Sequence, residues 1–203
     1  MWGPDAPRRF FGDKHWGEPL KWNRAAQGRE RVFCASMADV MEDRRDLDAL
    51  RARLWDLIDA TPNLDWLLCT KRPENFIRFL PKRWFDGRFL NVWLLTTVES
   101  EAYLRRLDDL AAIGLSVIRG VSYEPALGPV DFRPWLKSGV LNWVIAGGES
   151  GSGSQAPDPD WFRSARDQCA EFGVAFFFKQ WGGVDKAATG RVLDGREWNE
   201  VPA

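Results

Sequence analysis

Along the chain, short apolar runs rich in β-branched and aromatic residues end abruptly in polar ones, at 31–36, 65–70, 91–98, 115–122, 142–147 and 174–179. Runs of this length predict strands. Within them Trp66-Leu67-Leu68-Cys69, Val92-Trp93-Leu94-Leu95, Trp143-Val144-Ile145-Ala146 and Ala175-Phe176-Phe177-Phe178 show no polar alternation, as expected of strands covered on both faces in a parallel sheet. The segments between them carry another period. In 45–59, Leu47, Leu50, Leu54 and Leu57 with Ile58 recur at steps of three and four, and in 101–113 Leu104, Leu107 and Leu110 do the same. Each pattern predicts an amphipathic helix. In 159–172, Asp158 can cap, Pro159 suits the first helical position, Phe162, Ala165, Cys169 and Phe172 form the apolar stripe, and Gly173 ends the helix.

Strand starts recur about every 25 to 35 residues, the length of one βα unit, which leaves an open doubly wound sheet or a (βα) barrel. No Gly-x-Gly-x-x-Gly follows the first strand, so the dinucleotide-binding fold loses its main support. The expected fold is α/β, a (βα) barrel-like domain of partial TIM type with about six parallel strands. Residues 1–203 read as one domain without a linker. Residues 1–30 read as an irregular N-terminal segment with a short helix over 19–26, and 182–203 as an irregular tail with a small hairpin in 190–196.

Composition narrows the function classes. At 45% hydrophobic the chain can bury a substantial core, and 28 basic against 29 acidic side chains leave a net charge of -1. That balance supplies no overall positive field for nucleic acid or an anionic membrane. No apolar run approaches the ~18 residues of a membrane span, and the N-terminus lacks the hydrophobic stretch of a signal peptide, so a cytoplasmic protein is expected. Cys34, Cys69 and Cys169 are odd in number and widely spaced, against both a disulfide framework and a Cys-x-x-Cys site. The single histidine, His15, excludes a histidine triad and a multi-histidine metal centre, and no metal ligands are assigned. Twelve Trp and 13 Phe against two Tyr fill a core first, with ligand stacking as the alternative.

In parallel βα folds, ligand sites form where loops converge at the carboxyl ends of the strands. The residues there are Ser36 and Asp39 after the first strand, Thr70, Lys71 and Arg72 after the second, and Thr97 and Glu99 after the third. Ser122 and Glu124 follow the fourth, Gly147, Gly148, Glu149 and Ser150 the fifth, and Lys179, Gln180 and Trp181 the sixth. Glu99, Glu124 and Glu149 are spaced 25 residues apart, one per unit, so one ring could hold three carboxylates beside Lys71 and Lys179. These five are the catalytic candidates, and the others are substrate-contact candidates. Crowded carboxylates repel unless paired with a cation or unless one stays protonated, and either arrangement tunes an acid or base. A polar layer whose members merely satisfy one another is the competing reading. The turn from Thr70 to Glu74 could hold an anion or could spend its cations on a neighbouring Glu. The run Gly147-Gly148-Glu149-Ser150-Gly151-Ser152-Gly153-Ser154 lets backbone approach a phosphate, carboxylate or sugar, although no Gly-Lys-Ser/Thr makes it a P-loop. Its second half equally fits a flexible connection. Cys34 and Cys69 read as small buried residues, and His15 as a packing or capping residue.

Six segments together carry a family resemblance: Trp-Gly-Glu-Pro-Leu-Lys-Trp-Asn (16–23), Val-Phe-Cys-Ala-Ser-Met-Ala-Asp (32–39), Leu-Leu-Cys-Thr-Lys-Arg-Pro-Glu (67–74), Ser-Tyr-Glu-Pro-Ala-Leu-Gly-Pro-Val-Asp (122–131), Trp-Val-Ile-Ala-Gly-Gly-Glu-Ser-Gly (143–151) and Phe-Phe-Phe-Lys-Gln-Trp-Gly (176–182). Over nearly its whole length the chain resembles an uncharacterised phage- and prophage-type family related at a distance to radical S-adenosylmethionine enzymes. The resemblance implies that full-length relatives carry one more strand and a loop ending in Cys-x-x-Cys-Tyr that holds an iron-sulfur cluster. This sequence begins just past that point, so it is expected to be an N-terminally shortened member whose activity on its own is in question. The cluster and S-adenosylmethionine are implied for full-length relatives only, because Cys34, Cys69 and Cys169 lack cluster spacing. A Gly-Gly-Glu motif contacts S-adenosylmethionine in many radical enzymes, but there it follows an early strand. That role is not transferred to Gly147-Gly148-Glu149. The expected substrate is a small or nucleotide-like molecule. The alternatives are a cluster-free barrel hydrolase or lyase with paired glutamates, and a non-catalytic binding or assembly module. A missing first strand would leave an apolar edge and promote self-association.

Overall fold

The computed structural model describes residues 10–36, 38–86 and 91–202. The first nine residues of the segment expected to be irregular, Met37 beyond the first strand and Ala203 of the tail lie outside them. Helices α1 (Asp13–Trp16) and α2 (Glu18–Ala25) lead into the first strand. Strands β1 (Glu30–Cys34), β2 (Leu64–Thr70), β3 (Val92–Thr97), β4 (Arg119–Tyr123), β5 (Trp143–Gly147) and β6 (Ala175–Gln180) form one parallel sheet whose spatial order is the order of the chain. The connections carry α3 (Asp48–Asp59), α4 (Phe76–Phe79), α5 (Arg105–Ala111), α6 (Arg133–Lys137) and α7 (Pro159–Phe172). After β6 come α8 (Lys186–Thr189) and a hairpin of β7 (Val192–Leu193) with β8 (Arg196–Glu197). The sheet curls into a half-barrel, an α/β fold consistent with a partial (βα) barrel.

Local chemistry explains the boundaries. Helix α7 starts where the Asp158 carboxylate accepts the Asp160 N–H at 2.9 Å and stops at Gly173, whose φ of 66° is the left-handed conformation of a helix end. The first turns expected for α3 and α5 are tighter 3-10 turns, Arg45–Leu47 and Glu101–Tyr103. Strand β4 starts four residues later than its apolar run, because Arg119 donates from Nη2 to the carbonyls of Ile113 and Leu115 and holds that stretch as a connection.

Alternate strand residues serve two separate apolar layers. Leu64, Trp66 and Leu68 of β2, Val92 and Leu94 of β3, Val121 and Tyr123 of β4 and Phe176 and Phe178 of β6 pack with residues of α3, α5 and α7 in the main core. Their neighbours Leu67, Trp93, Leu95, Trp143 and Ile145 form a second cluster that contains no helix residue. Trp93 meets Trp143 edge-on at 5.6 Å, and Trp143 meets Phe177 at 6.1 Å. Such edge-on pairs contribute about 0.5–1.5 kcal/mol beyond their buried area. The concave side of the curl is thus filled by its own side chains, which is why the strands lack polar alternation. These tryptophans are core.

The segment 182–203 is more ordered than its composition predicts, because it closes an edge. The Phe178 N–H donates to the Trp198 carbonyl at 2.9 Å, the Glu200 N–H to the Phe176 carbonyl at 3.2 Å, and Trp143 Nε1 to the Glu200 carbonyl at 2.9 Å. Phe177 and Asn199 form an antiparallel bridge, and Val201 packs on the inner cluster. At the other end β1 pairs with β2 alone among the described residues, and inward-facing Phe33 stays 48% exposed. No described helix is long and apolar enough to cross a membrane.

Candidate functional site

Above the aromatic floor, the carboxyl ends of the strands surround a cleft of about 800 Å³. Phe33, Ala35, Ser36, Ala38 and Asp39 line it from β1 and the loop after it, Cys69, Thr70 and Lys71 from β2, and Thr97 from β3. Ser122 and Glu124 face it from β4, and Lys179 from β6. Register explains the meeting: Thr97 pairs with Ser122 and Ser122 with Ile145, so residues of one inward parity form a layer across the curl.

Two lysines reach over this cleft, each from a carboxylate base. Lys71 Nζ lies 2.6 Å from Glu99 Oε1; the Lys71 side chain is 54% exposed, whereas that of Glu99 is only 7% exposed. The other Glu99 oxygen accepts from Arg106 Nη1 at 2.7 Å, and the same nitrogen donates to the Thr97 carbonyl at 2.8 Å. Lys179 Nζ lies 2.9 Å from Glu124 Oε2, while Gln180 Nε2 donates to Glu124 Oε1 at 3.0 Å and to Ser150 Oγ at 2.6 Å. Consecutive strand residues normally face opposite ways, but here both hold one carboxylate. The pairing of β5 with β6 slips between Ala146 and Gly147, and this bulge turns Lys179 and Gln180 to the same partner. Gly147 completes the seat, since a Cβ there would sit 3.3 Å from Glu124 Cδ.

Asp39 is spoken for by its neighbours. Its Oδ1 accepts from Thr70 Oγ1 at 2.8 Å and Met41 N at 2.9 Å, and its Oδ2 from Arg72 Nη1 at 2.8 Å. Each cation of the Thr70 to Glu74 turn rests on a carboxylate, Lys71 on Glu99, which it shares with Arg106, and Arg72 on Asp39. Ser122 differs: it is 8% exposed, it faces the cleft, and its hydroxyl has no partner among the described residues. A partnerless hydroxyl that opens onto the cleft is free to donate to or accept from a guest at no cost in lost protein contacts.

The structure does not assemble the expected ring of three glutamates. Glu99 and Glu124 come to the rim, but beyond Gly147 the chain runs on beside 180–183, and Glu149 turns its Oε2 to the Gln155 N–H at 3.0 Å. Gly148 is buried against the crossing backbone, where a Cβ would fall 1.9 Å from the Trp181 carbonyl oxygen, so the tight turn serves packing. Trp181 also lies away from the cleft, donating from Nε1 to the Val192 carbonyl and packing edge-on against Phe162 and Phe178. Ser150 is exposed and reaches the rim only through Gln180. Residues not singled out from the sequence include Phe33, Ala35, Ala38 and Cys69 on the cleft wall and Arg106 beneath it. Inward parity on β1 and β2 was the signal for Phe33 and Cys69. Nothing local marked Arg106.

Burial raises all three thiols, Cys34 and Cys169 to about 12 and Cys69 to about 11. Cys34 and Cys169 belong to the main core, and Cys69 lies 3.6 Å from Thr97 Oγ1. An iron-sulfur cluster takes thiolates brought together, so these residues do not fit one. Among the described residues no group of three His, Cys, Asp or Glu is placed to hold a metal ion.

A family model described as "Protein of unknown function (DUF5131)" matches residues 2–202. No curated protein and no solved structure matches the chain.

Proposed function

The chain belongs to this family of unknown function, and on that premise we propose that its half-barrel binds a small organic anion with a planar body, of nucleotide type, in the cleft at the strand ends. The observation that carries the reading is Ser122, whose hydroxyl opens onto the cleft without a partner among the described residues, below two half-exposed lysines. The rim sums Lys71, Arg72, Arg106 and Lys179 against Asp39, Glu99 and Glu124, one positive charge in excess although the whole chain is -1. That favours an anionic group at the lysines. The half-exposed ring of Phe33, with Ala35, Ala38 and Cys69, offers the apolar wall on which a planar ring stacks.

The resemblance to radical S-adenosylmethionine enzymes supports the same location, since their substrates too would meet the strand ends. No step through a cluster or S-adenosylmethionine is assigned to this chain's residues, given the state of its thiols. Hydrolysis or elimination by paired glutamates finds less support: both oxygens of Glu99 are taken by cations, those of Glu124 by Lys179 and Gln180, and Glu149 is elsewhere.

Isothermal titration with adenosine 5'-monophosphate tests the proposal. We expect saturable 1:1 binding, weakened about tenfold by Lys71→Ala and severalfold by Ser122→Ala at unchanged thermal midpoint. Binding that is absent in the parent, or equal in parent and both variants, overturns it.

A further inference from the structure

The two lysines of the rim are equal in exposure and unequal in electrostatics. Lys179 rests on Glu124, whose second oxygen is held by the neutral amide of Gln180, so that group sums to zero. Lys71 rests on Glu99, whose second oxygen is held by the Arg106 guanidinium, so that group sums to one positive charge. Glu99 is buried and Arg106 largely so, whereas the Lys71 side chain is more than half exposed. The surplus charge therefore has one outlet, the Lys71 ammonium at the cleft wall. Arg106 is fixed for this task by its bond to the Thr97 carbonyl and by the Tyr103 ring 4.4 Å from its guanidinium carbon. It does not line the cleft.

From this we infer that Arg106 is the residue that makes the cleft selective for anions: by neutralising Glu99 from behind, it leaves Lys71 with charge to spend on a ligand's phosphate or carboxylate. Arg106 is a positioning residue, acting through Glu99 and Lys71 without touching the guest. With Arg106 uncharged, Lys71 and Glu99 would form a closed neutral pair like Lys179 and Glu124, and the cleft would hold the planar body of a ligand without preferring its anionic form. The inference rests on the cleft being a site for a small organic anion with a planar body.

The experiment compares adenosine 5'-monophosphate with uncharged adenosine by titration calorimetry on the full chain. The parent is expected to prefer the monophosphate. Arg106→Gln should lower that preference about tenfold with adenosine affinity unchanged, and Arg106→Lys, which keeps the charge, should restore most of it. Arg106→Met, which keeps the stem over Tyr103, serves the same purpose if the Gln variant folds poorly. Glu99→Gln gives the opposite sign, since removing the negative charge should raise the preference for the monophosphate. A preference unchanged in both Arg106→Gln and Arg106→Met overturns the inference, as does loss of both ligands in parallel, the signature of a scaffold role. A parent that binds both ligands equally overturns the anion-site reading itself, and is told apart by appearing before any substitution is made.

Discussion

Gly148 and Gly182 stand where the chain ends of β5 and β6 cross, and each would drive a Cβ into the other strand's backbone, 1.9 Å from the Trp181 oxygen and 2.2 Å from the Glu149 oxygen respectively. Backbone cannot swing aside as a side chain can. Gly148→Ala is therefore expected to destabilise the fold by about 1–3 kcal/mol or more, read as a lower midpoint in urea unfolding with an unchanged slope. The Gly-Gly pair is conspicuous in the sequence and suggests a ligand cradle, but the partner that explains it lies 33 residues downstream at Trp181 and cannot be seen locally. The same limit applies to the rim. That polar residues gather at strand ends is legible from one apolar run at a time, whereas Lys71 with Glu99 and Lys179 with Glu124 are joined across 28 and 55 residues. Glu149 shares the spacing of its two counterparts, and it is lost to the rim because the register slips between Ala146 and Gly147 and its carboxylate caps the Gln155 N–H instead.

Elements were readable where a repeat had room to show itself. Helix α7, with cap, stripe and stop signal, runs over the 14 residues its pattern marks out, whereas the five-residue α6 and four-residue α4 are too short to display a period. The sheet was legible for the opposite reason: both faces are apolar, so strands appear as unbroken runs. That absence of alternation also hides which residues face the cleft. The β7–β8 hairpin is tied to α7 by Asp194, which meets Arg163 Nη2 at 2.9 Å and Arg166 Nη1 at 2.5 Å, and these cations lower its pKa from 3.8 to about 2. A carboxylate depressed on folding contributes stability that is present above its unfolded value and is lost as the pH falls through the folded one. The tie should thus weaken between about pH 4 and pH 2. Protection of the hairpin amides, taken relative to the intrinsic exchange rate at each pH, is expected to fall across that window in the parent and to be already low and nearly flat there in Asp194→Asn; equal profiles would show that the tie holds nothing.

Across the whole molecule the two edges of the half-barrel are treated differently. The tail seals β6 with backbone hydrogen bonds and plants Val201 on the inner cluster, while β1 has only β2 beside it among the described residues. A chain ending at Gly195 would bare the β6 edge and part of the aromatic floor, and an exposed apolar edge recruits other chains. It is expected to scatter light on concentration and to lose the single cooperative melt of the parent; a monomer melting within a few degrees of the parent would show that the tail is dispensable. The order of the sheet also has a consequence for how the molecule is made. Because each strand's neighbours in space are its neighbours in sequence, a ribosome delivers the sheet in assembly order, one strand per ~30 residues, or every few seconds at about 5–20 residues per second. Each newcomer finds its docking edge already waiting. At every stage the most recent strand presents a raw edge, and on the β6 side that exposure ends only when residues 198–201 dock, so the nascent chain stays sticky until they are free to fold back.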